Sequence, residues 1–369
     1  MNLVSAIILA GGLASRMGCC KPLLPIFGIP ALETATSRLR AAGINEITIV
    51  TGHDGEQIAK EALRLEIRAV SNPDYKSGMF SSVVTGVKAL PGETEAFFLL
   101  PADIPLVKTH TYRTLMEARA ASGADIVYPT FLGARAHPPL ISSSLAEGIL
   151  SWAGEGGLGG FLENSTHSRA EIPTGDRAVT LDMDTPDDYE RLMSYAKTEF
   201  FPDVEECDEI LRIEGTPEGA VRHARTVARV AGAIAAALIV KGIEIDRRLL
   251  ASASLLHDIA KGRHDHEAEG ARMLRRRGMS VVADVVASHK YLPESGKIGE
   301  NEALYLADKM TMGTAVMTIE ERMSKLESKF SSDEEALFSM RKKLSRAMTI
   351  RDKIERIVGS PLAKIPNIL

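Results

Sequence analysis

Residues 9–25, LAGGLASRMGCCKPLLP, place Gly11 and Gly12 ahead of Arg16 and Lys21, directly after an apolar run. Glycines let a backbone approach a polyanion closely and turn its N–H groups inward. Arginine and lysine add the positive charge that a phosphate ligand needs. Lys21 is followed by Pro22 rather than Ser or Thr, so this is not a Walker A loop, and its glycines lack the GxGxxG spacing of a dinucleotide site. Asp103, in FLLPADIP, follows a second apolar run. That is the carboxyl end of a strand, where open α/β sheets bind ligands. A carboxylate there can hold Mg²⁺ against a phosphate, because Mg²⁺ keeps several waters and needs few protein ligands. Asp182 and Asp184 stand two apart on a strand-like run, which turns both to one face and offers a second carboxylate.

A different set of groups occupies the second half. His223 shares a helical face with Val227, Val230 and Ile234, and His257-Asp258 ends an apolar helix. His266 and His289 follow, then Asp308 on a face with Leu304 and Met312. An unpaired carboxylate on an apolar face costs on the order of several kcal/mol, so Asp308 calls for a cation or a donor. Mixed histidine and carboxylate ligands suit Mn²⁺, Fe²⁺, Ni²⁺ or Zn²⁺ without selecting among them. Lys261 and His264 read as solvated side chains, and the adjacent Cys19 and Cys20 as small loop residues.

The elements that must position these groups change character along the chain. Residues 4–9, 46–51, 67–71, 96–100, 125–130 and 178–183 read as strands, with helical patterns at 31–42, 81–89 and 109–122 between them. This alternation predicts an α/β fold: a Rossmann-like, mostly parallel sheet with helices on both faces. From about Pro202 the apolar residues recur at helical spacing, as in Val221, Ala224, Val227, Ala231 and Ile234, which predicts an all-α second domain. The expected division is 1–201 and 202–369. The charged stretch 324–356 reads as one or two amphipathic helices.

Four segments together carry a resemblance. The loop at 9–25 resembles the signature of nucleotidyltransferases that transfer NMP from an NTP to a phosphorylated acceptor. Residues 72–87, 98–107 and 181–189 are similar to stretches of molybdenum cofactor cytidylyltransferases, and ARAHPPLI at 134–141 is similar to their Gly-His-Pro region, with alanine where glycine is usual. The resemblance covers about residues 1–196. It implies that Leu9, Ala10, Gly11, Gly12, Arg16, Lys21 and Ser81 bind the nucleotide. It further implies that Asp103, with Asp182 or Asp184, holds Mg²⁺, and that Arg16, Lys21 and Asp103 are catalytic. The implied substrates are CTP and molybdopterin or its molybdenum-loaded form, with molybdenum hydroxylase apoenzymes as downstream partners. Ala10-Gly11-Gly12 is closer to the guanylyltransferase form than to Ala-Ala-Gly, which keeps guanylyl and sugar-phosphate transfer open.

The ordered set His223, His257-Asp258 and Asp308 resembles the HD phosphohydrolases over about 204–347. That resemblance implies one divalent transition metal on those four residues, with His266 and His289 matching the extra histidines of two-metal members. The implied chemistry is phosphoester hydrolysis; a non-catalytic nucleotide or metal sensor is the alternative.

Composition narrows the class. The 369 residues are 45% hydrophobic and 25% charged, with a formal net charge of -5, so no bulk attraction to nucleic acid or anionic membrane is expected. Three cysteines cannot build a disulfide framework, which points to a reducing, cytoplasmic setting. The opening MNLVSAIILAGG has no basic n-region and does not read as a signal peptide. The most apolar later run, 231–240, is shorter than the roughly 20 residues of a membrane helix.

Overall fold

In a computed structural model, described for residues 3–12, 17–153, 155–164, 166–289, 292, 297–365 and 368, the chain forms two compact units, 1–197 and 198–369.

The first unit is built on an eight-stranded sheet. Its strands are β1 (Val4–Ala10), β2 (Glu46–Thr51), β3 (Arg68–Ser71), β4 (Ala96–Pro101), β5 (Ile126–Phe131), β6 (Ala134–Arg135), β7 (Leu140–Ser142) and β8 (Arg169–Pro173). The order is β8-β5-β7-β4-β1-β2-β3, with β6 paired to β5. β1 runs parallel to both β2 and β4, so that Ile8 sits between Ile49 and Leu100. β7 is antiparallel to β4 and β5.

β1 is apolar throughout because both of its faces are covered. Ala6, Ile8 and Ala10 pack into the core under α1 (Ala31–Ala41), α2 (Gly55–Arg64) and α4 (Thr109–Ser122). Ile7 and Leu9 pack into the opposite core, under α3 (Met79–Lys88), α5 (Ala146–Ser151) and α6 (Gly157–Asn164). The period-2 alternation of a strand assigns each residue to its face.

One strand expected from the sequence is corrected, and one strand is added. Residues 178–183 are not a strand: Arg177–Thr180 forms a 3-10 turn capped by Asp176. That buried carboxylate accepts hydrogen bonds from Lys108 N, Thr111 Oγ1 and Ala178 N at 2.9, 2.6 and 3.1 Å. The apolar residues Ala178, Val179 and Met183 are buried by this turn and the loop after it rather than by a sheet. The sheet edge is instead β8, whose exposed and half-buried residues gave no apolar run. The loop leads into α7 (Pro186–Ala196), opened by a capping box between Thr185 and Asp188.

The second unit is helical: α8 (Val204–Ile213), α9 (Glu218–Val240), α10 (Arg247–Leu256), α11 (His266–Arg276), α12 (Ser280–Ser288), α13 (Glu300–Lys309), α14 (Ile319–Lys329) and α15 (Glu334–Val358). A two-residue hairpin pairs Thr311–Met312 with Ala315–Val316. By length and composition α9 could cross a membrane, with a mean hydropathy of 1.4. Here its Val227, Val230, Ala231 and Ile234 form the core with α10, α12, α13 and α15. Residues 198–201 cluster with this unit, and Phe201 packs against its core.

The packing of α3 on the sheet depends on Gly86. A Cβ there would lie 2.5 Å from Ile7 Cγ2 and 3.1 Å from Val50 Cγ2. Gly86→Ala should lower stability by about 1–3 kcal/mol, the usual cost of overpacking, read as a lower urea midpoint. An unchanged midpoint would contradict this contact.

Candidate functional site

The carboxyl edge of the sheet brings the first set of groups together. β1 ends at Ala10, and Ala102 N donates to Leu9 O at 3.0 Å, which sets the glycine loop beside the Asp103 loop. Leu9, Ala10, Gly11, Gly12, Lys21 and Asp103 line one cavity of about 330 Å³. Lys21 Nζ donates to Asp103 Oδ2 at 3.2 Å and to Asp184 Oδ1 at 2.6 Å. Burial works against the ammonium, but its bonds and charge contacts with Asp184 and Asp103 outweigh this and raise its pKa. Asp182 lies in the field of Asp184 and Asp103; burial first, then those two charges, raise its carboxyl pKa. Asp103 and Asp184 thus share Lys21, with Asp182 near enough to feel both charges, and carboxylates gathered in this way suit a hard divalent cation. The strand once expected to turn Asp182 and Asp184 to one face is absent, and a loop brings both to the cluster instead. Arg16 lies outside the described residues.

Ser81 is placed differently from the sequence reading. Its hydroxyl lies 3.0 Å from Asp74 O and 2.8 Å from Gly78 O and accepts from Asn72 Nδ2, so it braces the turn before α3. Its neighbour Ser82 faces the cavity, as do Cys20, Asp54 and Tyr75. Helical spacing alone could not say which of two adjacent serines points inward. The Ser82 hydroxyl stands 2.6 Å from where a Cβ on Gly11 would be. A side chain at position 11 would therefore require the Ser82 hydroxyl to move.

The helical unit gathers the second set. Ligand atoms of His223, His257 and Asp258 lie within 4.8 Å of one another, as do those of Asp258, His266 and His289. Asp258 is common to both groups. Asp308 Oδ1 lies 3.1 Å from His223 Nε2 and joins the first. Three of the histidines are oriented alike. The Nδ1 atoms of His223, His257 and His289 lie 2.9, 2.8 and 2.6 Å from the carbonyl oxygens of Gly313, Ser254 and Val286. Donation from Nδ1 leaves the Nε2 lone pair aimed at the cluster, which is how metal-binding imidazoles are held. His257 is 1% exposed and its Nε2 is buried without a hydrogen-bond partner. A buried polar atom left unpaired is costly, and a metal ion would satisfy it.

Electrostatics fit the same arrangement. Burial, then the neighbouring His257, lowers the pKa of His289 to about 4, so it is neutral and able to ligate. Burial alone would raise the pKa of Asp308, but Lys309 and His223 hold it well below the carboxylate range. Asp258 is likewise kept ionised, against burial, by His257 and Lys261. The sequence reading missed Lys309 and Glu267, both buried and both at this cavity. A charged residue buried in a helix was a usable signal for either, but only the fold shows the burial.

A glycine loop leading to a lysine between carboxylates, on the carboxyl edge of an α/β sheet, defines a nucleotide-handling enzyme, followed here by a helical metal-site domain. Residues 6–170 match the MobA-like NTP transferase domain and residues 220–313 match the HD domain. The molybdenum cofactor cytidylyltransferase of Escherichia coli (strain K12) is 30% identical over 190 residues, covering 51% of this chain and 95% of that protein. Nicotine blue oxidoreductase of Paenarthrobacter nicotinovorans is 28% identical over 196 residues, covering 52% of this chain and 96% of that protein. Among solved structures, Rv0371c from Mycobacterium tuberculosis H37Rv aligns with a TM-score of 0.47 at 23% identity, over 52% of this chain and 98% of that one. The chain belongs to the MobA-like NTP transferases and carries an HD domain after the transferase domain.

The orientation of His257 makes a direct prediction. His257→Ala should weaken retention of a divalent transition metal by the full chain at least tenfold, since even outer-shell changes cost about 10–100-fold. Metal content after dialysis, measured by mass spectrometry, checks this; wild-type retention would contradict it.

Proposed function

We propose that the first unit transfers CMP from CTP to molybdopterin or its molybdenum-loaded form, with release of pyrophosphate. The observation that carries this reading is Lys21, held between Asp103 and Asp184 in the cavity floored by Gly11 and Gly12. An acceptor phosphate oxygen attacks the α-phosphorus, the bond to the bridging oxygen breaks, and pyrophosphate leaves with the electron pair. Lys21 offsets the negative charge that grows on the phosphoryl oxygens, and Arg16 is assigned the same role from its place in the loop. Leu9, Ala10, Gly11 and Gly12 line the path of the triphosphate, and Gly12 leaves open space where a Cβ would stand. Asp103, Asp182 and Asp184 would hold Mg²⁺, which when bound neutralises charge on the α-phosphate. No covalent nucleophile is needed, because positioning and charge supply the catalysis.

Cytosine is preferred over guanine for two reasons. A relative 30% identical and covered over 95% of its length is named a cytidylyltransferase. The Gly-Gly pair that resembles guanylyltransferases has a local cause at Gly11, the Ser82 hydroxyl, and so says little about the base. The product would pass to molybdenum hydroxylase apoenzymes, in a reducing cytoplasm that suits the free thiols of Cys19, Cys20 and Cys207.

We assign the second unit as a metal-dependent phosphohydrolase. His223, His257, Asp258 and Asp308 would hold one transition metal ion, and His266 and His289, sharing Asp258, a second. When bound, such a metal lowers the pKa of a water for attack on a phosphoester. Burial keeps His257 and His289 neutral, and neighbouring charges keep Asp258 and Asp308 ionised, which supports metal binding at this centre.

Lys21→Ala and Asp103→Ala should each reduce CTP-dependent pyrophosphate release by about 10²–10³-fold, the scale of losing one charge-stabilising donor, with circular dichroism unchanged. Assays with each of the four NTPs, with and without molybdopterin, check base and acceptor together. Near-wild-type rates in either variant would refute the site.

A further inference from the structure

We infer that the HD-type centre takes a phosphoester with a bulky apolar substituent, seated against a wall that α14 and α15 contribute to the cavity. The inference rests on the hydrolase reading above and names its substrate class.

One cavity of about 680 Å³ contains both parts. Its volume is within the roughly 300–1,000 Å³ range of sites for organic ligands. The ligand residues His223, Asp258, His289 and Asp308 line one part, and Leu326, Phe330, Met340 and Leu344 line another. Leu326 and Phe330 are four apart, the first on α14 and the second just past its end, while Met340 and Leu344 are four apart on α15. That spacing puts each pair on one helical face. All four lie beyond the 220–313 match to the HD domain.

The two parts are fixed to each other. Arg322 of α14 donates through Nη1 to the carbonyl oxygens of Asp308 and Thr311, both at 2.6 Å. The helix that carries the apolar wall is thereby tied to the backbone of a ligand residue.

Two lysines stand at the phosphate end, each paired with a carboxylate of the cluster. Lys261 Nζ lies 3.1 Å from Asp258 Oδ2 with its side chain about half exposed (47%), so it can turn toward an incoming anion. Lys309 is bound to Asp308 and sits 4.9 Å from the Tyr305 ring centroid, a buried charge within the cavity lining. Gly219 and Ala220 also line the cavity. They belong to the first turn of α9, whose N-cap Pro217 supplies no side-chain cap, and such a turn favours an anion.

Inorganic pyrophosphate or a small alkyl phosphate would fill the charged part and leave Leu326 and Phe330 partly in water, while Met340 and Leu344 already lie in the core behind them. A larger apolar substituent such as an aromatic ring would cover Leu326 and Phe330, which is favourable in proportion to the apolar area covered.

The test uses the full chain loaded with Mn²⁺ and titrated calorimetrically with methylphosphonate and benzylphosphonate, which bind without turnover. Benzylphosphonate should bind at least tenfold tighter. In Leu326→Ala/Phe330→Ala that ratio should fall toward one, with methylphosphonate affinity and Mn²⁺ content unchanged. If the double variant does not fold, Phe330→Ala alone should lower the ratio. Metal-dependent methylphosphonate binding with no gain for the benzyl group, or a ratio that survives in the variants, would overturn the wall and leave the hydrolase reading standing. Failure of the wild type to bind Mn²⁺, or phosphonate binding that persists in His257→Ala, would overturn both.

Discussion

Lys21 pairs with two carboxylates that are 82 and 163 residues away in sequence, Asp103 and Asp184. This is the constraint on which the first unit's chemistry depends. Each partner comes from a different part of the fold: the turn after β1, the turn after β4, and the loop before α7. The sheet brings the first two together because β1 and β4 are parallel neighbours whose carboxyl ends coincide. The third is set by the Thr185–Asp188 capping box and by the buried Asp176, which holds the 3-10 turn upstream. A lysine partly withdrawn from water keeps its charge because these carboxylates surround it. A metal–triphosphate complex supplies a cation for the carboxylates and anionic oxygens for Lys21, so it can exchange into that network without leaving a bare charge behind.

The second unit solves the opposite problem. Its imidazoles must point inward from an apolar helical core, where burial keeps His257 and His289 neutral. Backbone carbonyls at Ser254, Val286 and Gly313 take the Nδ1 protons, so each ring is oriented by a helix end or a turn rather than by a flexible side chain. His257 and His289 both sit as the C-cap residues of their helices, where carbonyls lack intrahelical partners. The metal cluster is therefore built from the unsatisfied ends of α10 and α12, the start of α11, and side chains from α9 and α13.

Much of this was legible in the sequence, for particular reasons. The parallel sheet followed from apolar runs such as β1, and α4 from a clean helical pattern with Gly123 as its left-handed C-cap. The clustered histidines and aspartates were visible because their types are rare on apolar helical faces. What escaped was decided by tertiary context. Residues 178–183 alternate like a strand, yet Asp176 bonds the backbone into a turn. β8 lies at the sheet edge and is only half buried, so it carries no apolar signature. Ser81 and Ser82 differ only in which way a helix is rotated. Lys309 reads as a surface charge next to a ligand, and its burial beside Asp308 and Tyr305 comes from the packing of α13.

The central claim is that the Lys21 cluster is the seat of the triphosphate. The most direct measurement is a crystal structure of the full chain with Mg²⁺ and a non-hydrolysable CTP analogue. The account predicts the phosphates lying over Gly11 and Gly12, with the α-phosphate in contact with Lys21 and with a metal ion on Asp103. An analogue bound elsewhere, with Lys21 still paired to Asp103 and Asp184 alone, would contradict it.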